Sequence, residues 1–132
     1  MFTHVILGAD DMEASRRFYD AVLGALGHAP GVPDAKGRIM WRTPRAMFGI
    51  TRPINGGAPC FANGGTIGFG ARDAAAVDAF HAAGLAAGGV SCEDPPGVRA
   101  NAVGDLYLAY LRDPVGNKIC AVHLVQTPQG AS

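Results

Sequence analysis

What the chain lacks narrows it first. Its 132 residues carry no net charge at neutral pH, with eleven Lys and Arg against eleven Asp and Glu. A phosphate backbone demands a net basic surface, so nucleic acid is not an expected partner. No apolar run approaches the roughly 20 residues that span a bilayer. The opening Met1-Phe2-Thr3-His4-Val5 runs directly into a strand pattern, with no sign of a signal peptide. Cys60, Cys92 and Cys120 have no paired spacing, so they suggest neither a disulfide framework nor a zinc ribbon and fit a reducing cytoplasm. Charged residues are only 17% and hydrophobic ones 48%, the balance of one compact domain with its own core. A final gap is local: between Lys36 and Arg72 there is no Asp, Glu or His.

What is present is a repeat. Moving the sequence by 62 positions lays Gly8 on Gly70, Asp11 on Asp73, Ala14 on Ala76, Phe18 on Phe80, Leu23 on Leu85 and Gly27 on Gly89. Each half opens with an apolar strand, residues 2–8 and 66–71, rich in β-branched or aromatic positions. An Asp then stands where a helix N-cap would, its carboxylate free to accept from first-turn amides. Apolar residues at helical spacing (Ala14, Phe18, Val22 and Val77, Phe80, Ala83) predict helices over 12–26 and 74–87, each stopped by glycine.

Short strands follow in both halves: 38–43 and 47–52 in the first, 89–93, 106–111 and 118–125 in the second. An irregular edge strand near 27–33 is interrupted by Pro30 and Pro33. Residues 53–65 read as a linker, and 94–105, with Pro95-Pro96-Gly97, as a loop long enough to act as a lid. The tail beyond Gln126 is expected to fray. The expectation is therefore an α+β domain of two βαβββ modules, 1–55 and 64–126. Related by a pseudo-twofold, they would form one curved mixed sheet with helices outside and a concave face for a ligand. A ferredoxin-like sandwich also contains two βα units, but a register that holds without a gap from Gly8 to Gly27 favours duplication.

Three stretches carry a family resemblance. They are His4-Val-Ile-Leu-Gly-Ala-Asp-Asp-Met-Glu-Ala-Ser-Arg-Arg-Phe18-Tyr19 leading to Val22-Leu23-Gly24, then Gly65-Thr-Ile-Gly-Phe69, and Asp113-Pro-Val-Gly-Asn-Lys-Ile119. In this order they resemble the vicinal oxygen chelate superfamily of glyoxalase I, bleomycin- and fosfomycin-resistance proteins and extradiol dioxygenases. The resemblance implies paired βαβββ modules, a homodimer, and a cavity often holding a divalent metal on His and Glu. His4 matches the first His of that set, while Thr66 stands where a second His is usual and Cys120 where the final Glu is usual. One imidazole, a hydroxyl and a thiol form an incomplete set for a catalytic ion, which wants about three protein ligands.

The candidate residues follow from these positions. His4 is a candidate general base or sole surviving metal ligand, and Cys120 a candidate nucleophile or proton donor, with Lys118 on its face as an activating cation. The alternative for Cys120 is an inert buried thiol. Arg38 and Thr66 would position substrate, the cations Lys36, Arg38, Arg42, Arg45 and Arg52 favouring an anionic ligand or lying as a solvated edge. Trp41 and Tyr110 would wall the pocket; ordinary core packing is the alternative for Trp41. The functional expectation is a glyoxalase- or bleomycin-resistance-type protein that acts on or binds a small anionic or polar metabolite with a degenerate metal site. A non-catalytic sequestering protein, or a metal-dependent lyase or dioxygenase with unorthodox ligands, are the other readings.

Overall fold

The structure, a computed structural model, describes residues 1–102 and 104–125. The expected tail beyond Gln126 lies outside the described residues. Its order is β1 (His4–Gly8), α1 (Met12–Ala25), β2 (Val32–Pro33), β3 (Ile39–Arg42), β4 (Met47–Thr51), β5 (Ile67–Gly70), α2 (Ala74–Ala86), β6 (Val90–Arg99), β7 (Leu106–Arg112) and β8 (Lys118–Leu124). The α+β class and the two βαβββ modules are as the repeat implies. The hydrogen-bonded ladders, however, form two four-stranded sheets, β1-β4-β3-β2 and β5-β8-β7-β6, rather than one continuous sheet. In each the first strand pairs parallel with the fourth and the others pair antiparallel.

The repeated aspartates do what their position suggests. Asp11 accepts from the Ala14 amide at 3.0 Å and Asp73 from the Ala76 amide at 2.7 Å, satisfying one orphan donor at each helix start. Both helices then turn an apolar face inward, burying Phe18, Tyr19, Val22 and Leu23 from α1 and Val77 and Phe80 from α2. Symmetry-matched positions meet where the helices cross. A Cβ added at Gly84 would lie 2.3 Å from Leu111 Cδ1 and 3.1 Å from Val22 Cγ1, and Val22 is the residue that the repeat lays on Gly84. Glycine is what lets α2 approach so closely.

The turn at 113–117 welds the modules together. One Asp113 carboxylate oxygen accepts from the amides of Val115, Gly116 and Asn117, each at 2.9 Å. The other accepts from the Tyr19 hydroxyl at 2.6 Å and from Asn117 Nδ2 at 2.9 Å. Asn117 Nδ2 also reaches the Gly8 carbonyl of β1 at 3.3 Å. Burial together with the Asp113 carboxylate holds the Tyr19 hydroxyl well above its ordinary pKa. The motif is thus a structural clasp between the turn at 113–117 and the first helix. Aromatic contacts continue the seam, with Phe48 edge-on to Phe69 at 5.1 Å across the module boundary.

One expectation fails here. Residues 94–99 are not part of a lid loop but belong to β6, which pairs with β7 at Cys92↔Tyr110 and resumes at Gly97↔Leu108. The intervening residues bulge, and Glu93 takes a left-handed φ of 57°. Pro95 and Pro96 have no amide to give a ladder, and a bulge is where a strand tolerates them. The Pro-Pro-Gly signal therefore marked a bulge inside a strand, and the connection to β7 is correspondingly short.

Candidate functional site

Strand alternation sorts the side chains onto two faces. Val5, Leu7, Ile39, Trp41, Phe48, Ile50, Ile67, Phe69, Ala109, Leu111, Ile119 and Ala121 join the apolar cluster beneath the helices. The opposite face of the first sheet carries His4, Ile6, Met40, Arg42, Met47 and Gly49, aligned by the registers His4↔Met47↔Arg42 and Ile6↔Gly49↔Met40. On the second sheet that face carries Gly68, Cys120, Tyr110 and Cys92 in one cross-strand row, and Arg112 with Lys118 in the next.

The second sheet's outer face is the polar one. Glu93, thrown out by its bulge, forms an ion pair with the Lys118 ammonium, and the ammonium also lies 4.9 Å from the centre of the Tyr110 ring. The hydrogen bond to Glu93 raises the Lys118 pKa, so this group is a fixed cation and not an amine nucleophile. Arg99, opposite Leu106, folds back to give two hydrogen bonds to the bulge carbonyls, Asp94 at 3.0 Å and Pro95 at 2.9 Å. Arg112 donates to the Gly116 carbonyl at 3.0 Å and stands 5.8 Å from the Phe61 ring centre. Three cations and one carboxylate thus share a face around a tyrosine.

Cys120 sits within this group, but as a protonated thiol. It is buried, and burial pushes its pKa up to about 11, with Lys118 opposing the rise. A thiol so placed is a poor nucleophile at neutral pH. A Cβ at Gly68 would lie 3.4 Å from its Sγ, so the missing side chain at 68 leaves the sulfur room on that side. His4 and Thr66 are both exposed. His4 lies on the first sheet, bonded through Nδ1 to its neighbour Thr3 at 2.9 Å; Thr66 lies just before β5 of the second.

Of the other expected residues, Arg38 and Trp41 are placed elsewhere. Arg38 lies in the β2–β3 turn, where its Nε meets Asp34 Oδ2 at 2.6 Å and its amide bonds the same carboxylate. It staples a hairpin. Trp41 is buried beneath α1, donating its indole N–H to Asp20 at 3.0 Å. Its face is opposite to that of Cys120. Tyr107 bonds Asp78 of α2 at 2.7 Å, on the helix side, and Tyr110 is on the outer face. Sequence alternation does not reveal Glu93, which ends the expected strand 89–93 where the bulge begins, or Arg99, which lies in the expected loop but pairs with Leu106 beyond the bulge. Arg112 and Lys118 were open to alternation, since they keep step with Tyr110 and Cys120.

Among the described residues no group of three or more His, Cys, Asp or Glu side chains is arranged to hold a metal ion. The donor chemistry agrees: a protonated thiol and an exposed hydroxyl are not a set that fits Mg²⁺, Mn²⁺ or Fe²⁺. The residues present do not fit the family's usual metal.

Comparison with known proteins decides the family. The sequence profile of the Glyoxalase/Bleomycin resistance protein/Dioxygenase superfamily matches residues 2–121. The chain belongs to this superfamily. It is 58% identical to a glyoxalase/bleomycin resistance protein from Albidiferax ferrireducens T118 of known crystal structure, covering 93% of this chain and 98% of that one, with a TM-score of 0.90. A lactoylglutathione lyase from Agrobacterium tumefaciens is 24% identical, covers 92% of each chain, and has a TM-score of 0.62. A glyoxalase/bleomycin resistance protein/dioxygenase family enzyme from Burkholderia phytofirmans PsJN is 17% identical, with 93% and 98% covered and a TM-score of 0.67. The last two show the fold alone. A search of curated proteins gives no match.

Proposed function

We propose that this superfamily member binds a small anionic metabolite on the outer face of its second module, using fixed protein cations in place of a bound divalent ion. The observation that carries the reading is Lys118, Arg99 and Arg112 on one face, with the Glu93 carboxylate paired to Lys118. A carboxylate or phosphate entering there would take over from Glu93 as partner of Lys118 and receive guanidinium hydrogen bonds. Tyr110 and the Cys120 thiol would supply a flat wall and a weak donor. His4 would serve as a proton carrier only when the first sheet is brought against this face.

A second copy of the chain would do that. The first strand of each sheet, β1 and β5, is an edge with an unpaired side, and the outer faces expose Val90 and Leu124. The homodimer, with one module of each copy closing over the other's outer face, is part of the proposal. The three free cysteines support a reducing, cytoplasmic setting, and no helix among the described residues is long and apolar enough to cross a membrane.

The test is calorimetric titration of the purified protein with malonate and with inorganic phosphate, before and after EDTA treatment. Saturable binding that survives EDTA and falls about 10-fold or more in Lys118→Met supports the reading. Binding that requires an added divalent ion, or is untouched in Lys118→Met, refutes it. Turnover of any bound metabolite separates an enzyme from a sequestering protein.

A further inference from the structure

We infer a second small-molecule site, distinct from the cationic face and able to take an aromatic or other apolar carboxylate. A pocket of about 190 Å³ opens at the end of the molecule where the starts of β1 and β5, the β3–β4 turn and the end of α1 come together. A cavity of about 150 Å³ is enough for a benzene ring. Three rings line it: Trp41 and Phe48 from the first module and Phe69 from the second, with Trp41 and Phe48 5.8 Å apart and Phe48 and Phe69 5.1 Å apart between ring centres. They are tilted or edge-on to one another, an arrangement that receives a further ring without stacking strain.

The permanent charge in the lining is cationic. Arg42 and His28 both border the pocket, and among the described residues no Asp or Glu does. Among the described residues Arg42 forms no ion pair; its hydrogen bond is to the Met47 sulfur at 3.2 Å, a weak acceptor that a carboxylate would displace. The neighbouring arginines differ, since Arg38 is committed to Asp34 and Arg16 to Asp20. An apolar body between the rings with a carboxylate at Arg42 satisfies both halves of the lining. Because the walls come from both modules, such a ligand would also bridge the seam between them.

The chain has a single tryptophan, so Trp41 emission reads this site directly. The experiment titrates the intact protein with phenylacetate, phenylacetamide and acetate while following Trp41 fluorescence. Phenylacetate is expected to give a saturable change with Kd on the order of 1 mM or tighter, with phenylacetamide and acetate at least about 10-fold weaker. Arg42→Gln, at an exposed position, is expected to weaken phenylacetate by about 10-fold without altering the emission of the free protein. Lys118→Met should leave the titration unchanged. No saturable response to phenylacetate overturns the proposal, as does an equal response to the amide or an unaltered affinity in Arg42→Gln. Loss of the response in Lys118→Met would fold this site into the cationic face and overturn it as a separate one. Failure of malonate to bind bears only on the cationic face.

Discussion

The two modules share one plan and differ in what they present. Both run strand, Asp-capped helix and three strands, and both bury matched aromatics, Phe18 and Phe80. On its outer face the first module offers Met40, Met47, Ile6, His4 and one cation, Arg42. The second offers Lys118, Arg99, Arg112, Glu93, Tyr110 and two thiols. Their turns differ as well. The β3–β4 turn is exposed and closed by Thr43, whereas the β7–β8 turn drives Asp113 into the core against Tyr19. Duplication preserved what folds and left the outward side chains free to diverge. The difference teaches where to look for function: in the half whose outer face departs most from an apolar sheet.

The two modules should differ most at their turns. Asp113→Ala would strand the buried Tyr19 hydroxyl and the Asn117 backbone N–H and take one partner from the Val115 and Gly116 N–H groups and the Asn117 side chain, costing about 3 kcal/mol or more in urea denaturation. Thr43→Ala in the matching turn of the first module should cost under about 1 kcal/mol. Next comes the outer face. Lys118→Met should weaken malonate binding by about 10- to 100-fold in calorimetry, while Arg38→Gln in the first module leaves it within about 2-fold and lowers stability by at most ~1 kcal/mol.

The helix glycines sharpen the same contrast. Gly84→Ala pushes a methyl into Leu111 and Val22 and should cost about 1–3 kcal/mol. Gly24→Ala in α1, with nothing within 4 Å, should be neutral or stabilising by up to about 1 kcal/mol in thermal unfolding. The smallest effect is at Cys120. The unfolded thiol ionises in the ordinary range while the folded one keeps its proton up to about 11. Its contribution is therefore complete below the ordinary thiol pKa and is lost as pH rises through that window. Denaturation midpoints measured across it should fall more steeply in the wild type than in Cys120→Ala.

Much of the fold was legible because its determinants are local. Asp11 and Asp73 cap within their own first turns, and apolar spacing marks the helix faces whichever partner they meet. The split into two sheets was not legible, since no local pattern tells whether β1 and β5 pair with each other or stand as edges. The site was legible only in part. Alternation puts Tyr110, Lys118 and Cys120 together, but the 93–96 bulge breaks the period and hides Glu93 and Arg99. The Arg38–Asp34 pair was not legible, because a free-looking cation near a strand is indistinguishable, in sequence, from one held by an acid four residues earlier. Trp41 was legible as an aromatic wall, but its indole bond to Asp20 was not, because that partner comes from the preceding helix.

The central claim is that the second module's cations, without a metal, hold the anion. Amide chemical-shift mapping of metal-free protein during a malonate titration tests it most directly. Saturable shifts are expected, concentrated at Glu93, Arg99, Tyr110, Arg112 and Lys118, and lost in Lys118→Met. Shifts confined to β1–β4, or none until a divalent ion is added, would contradict it.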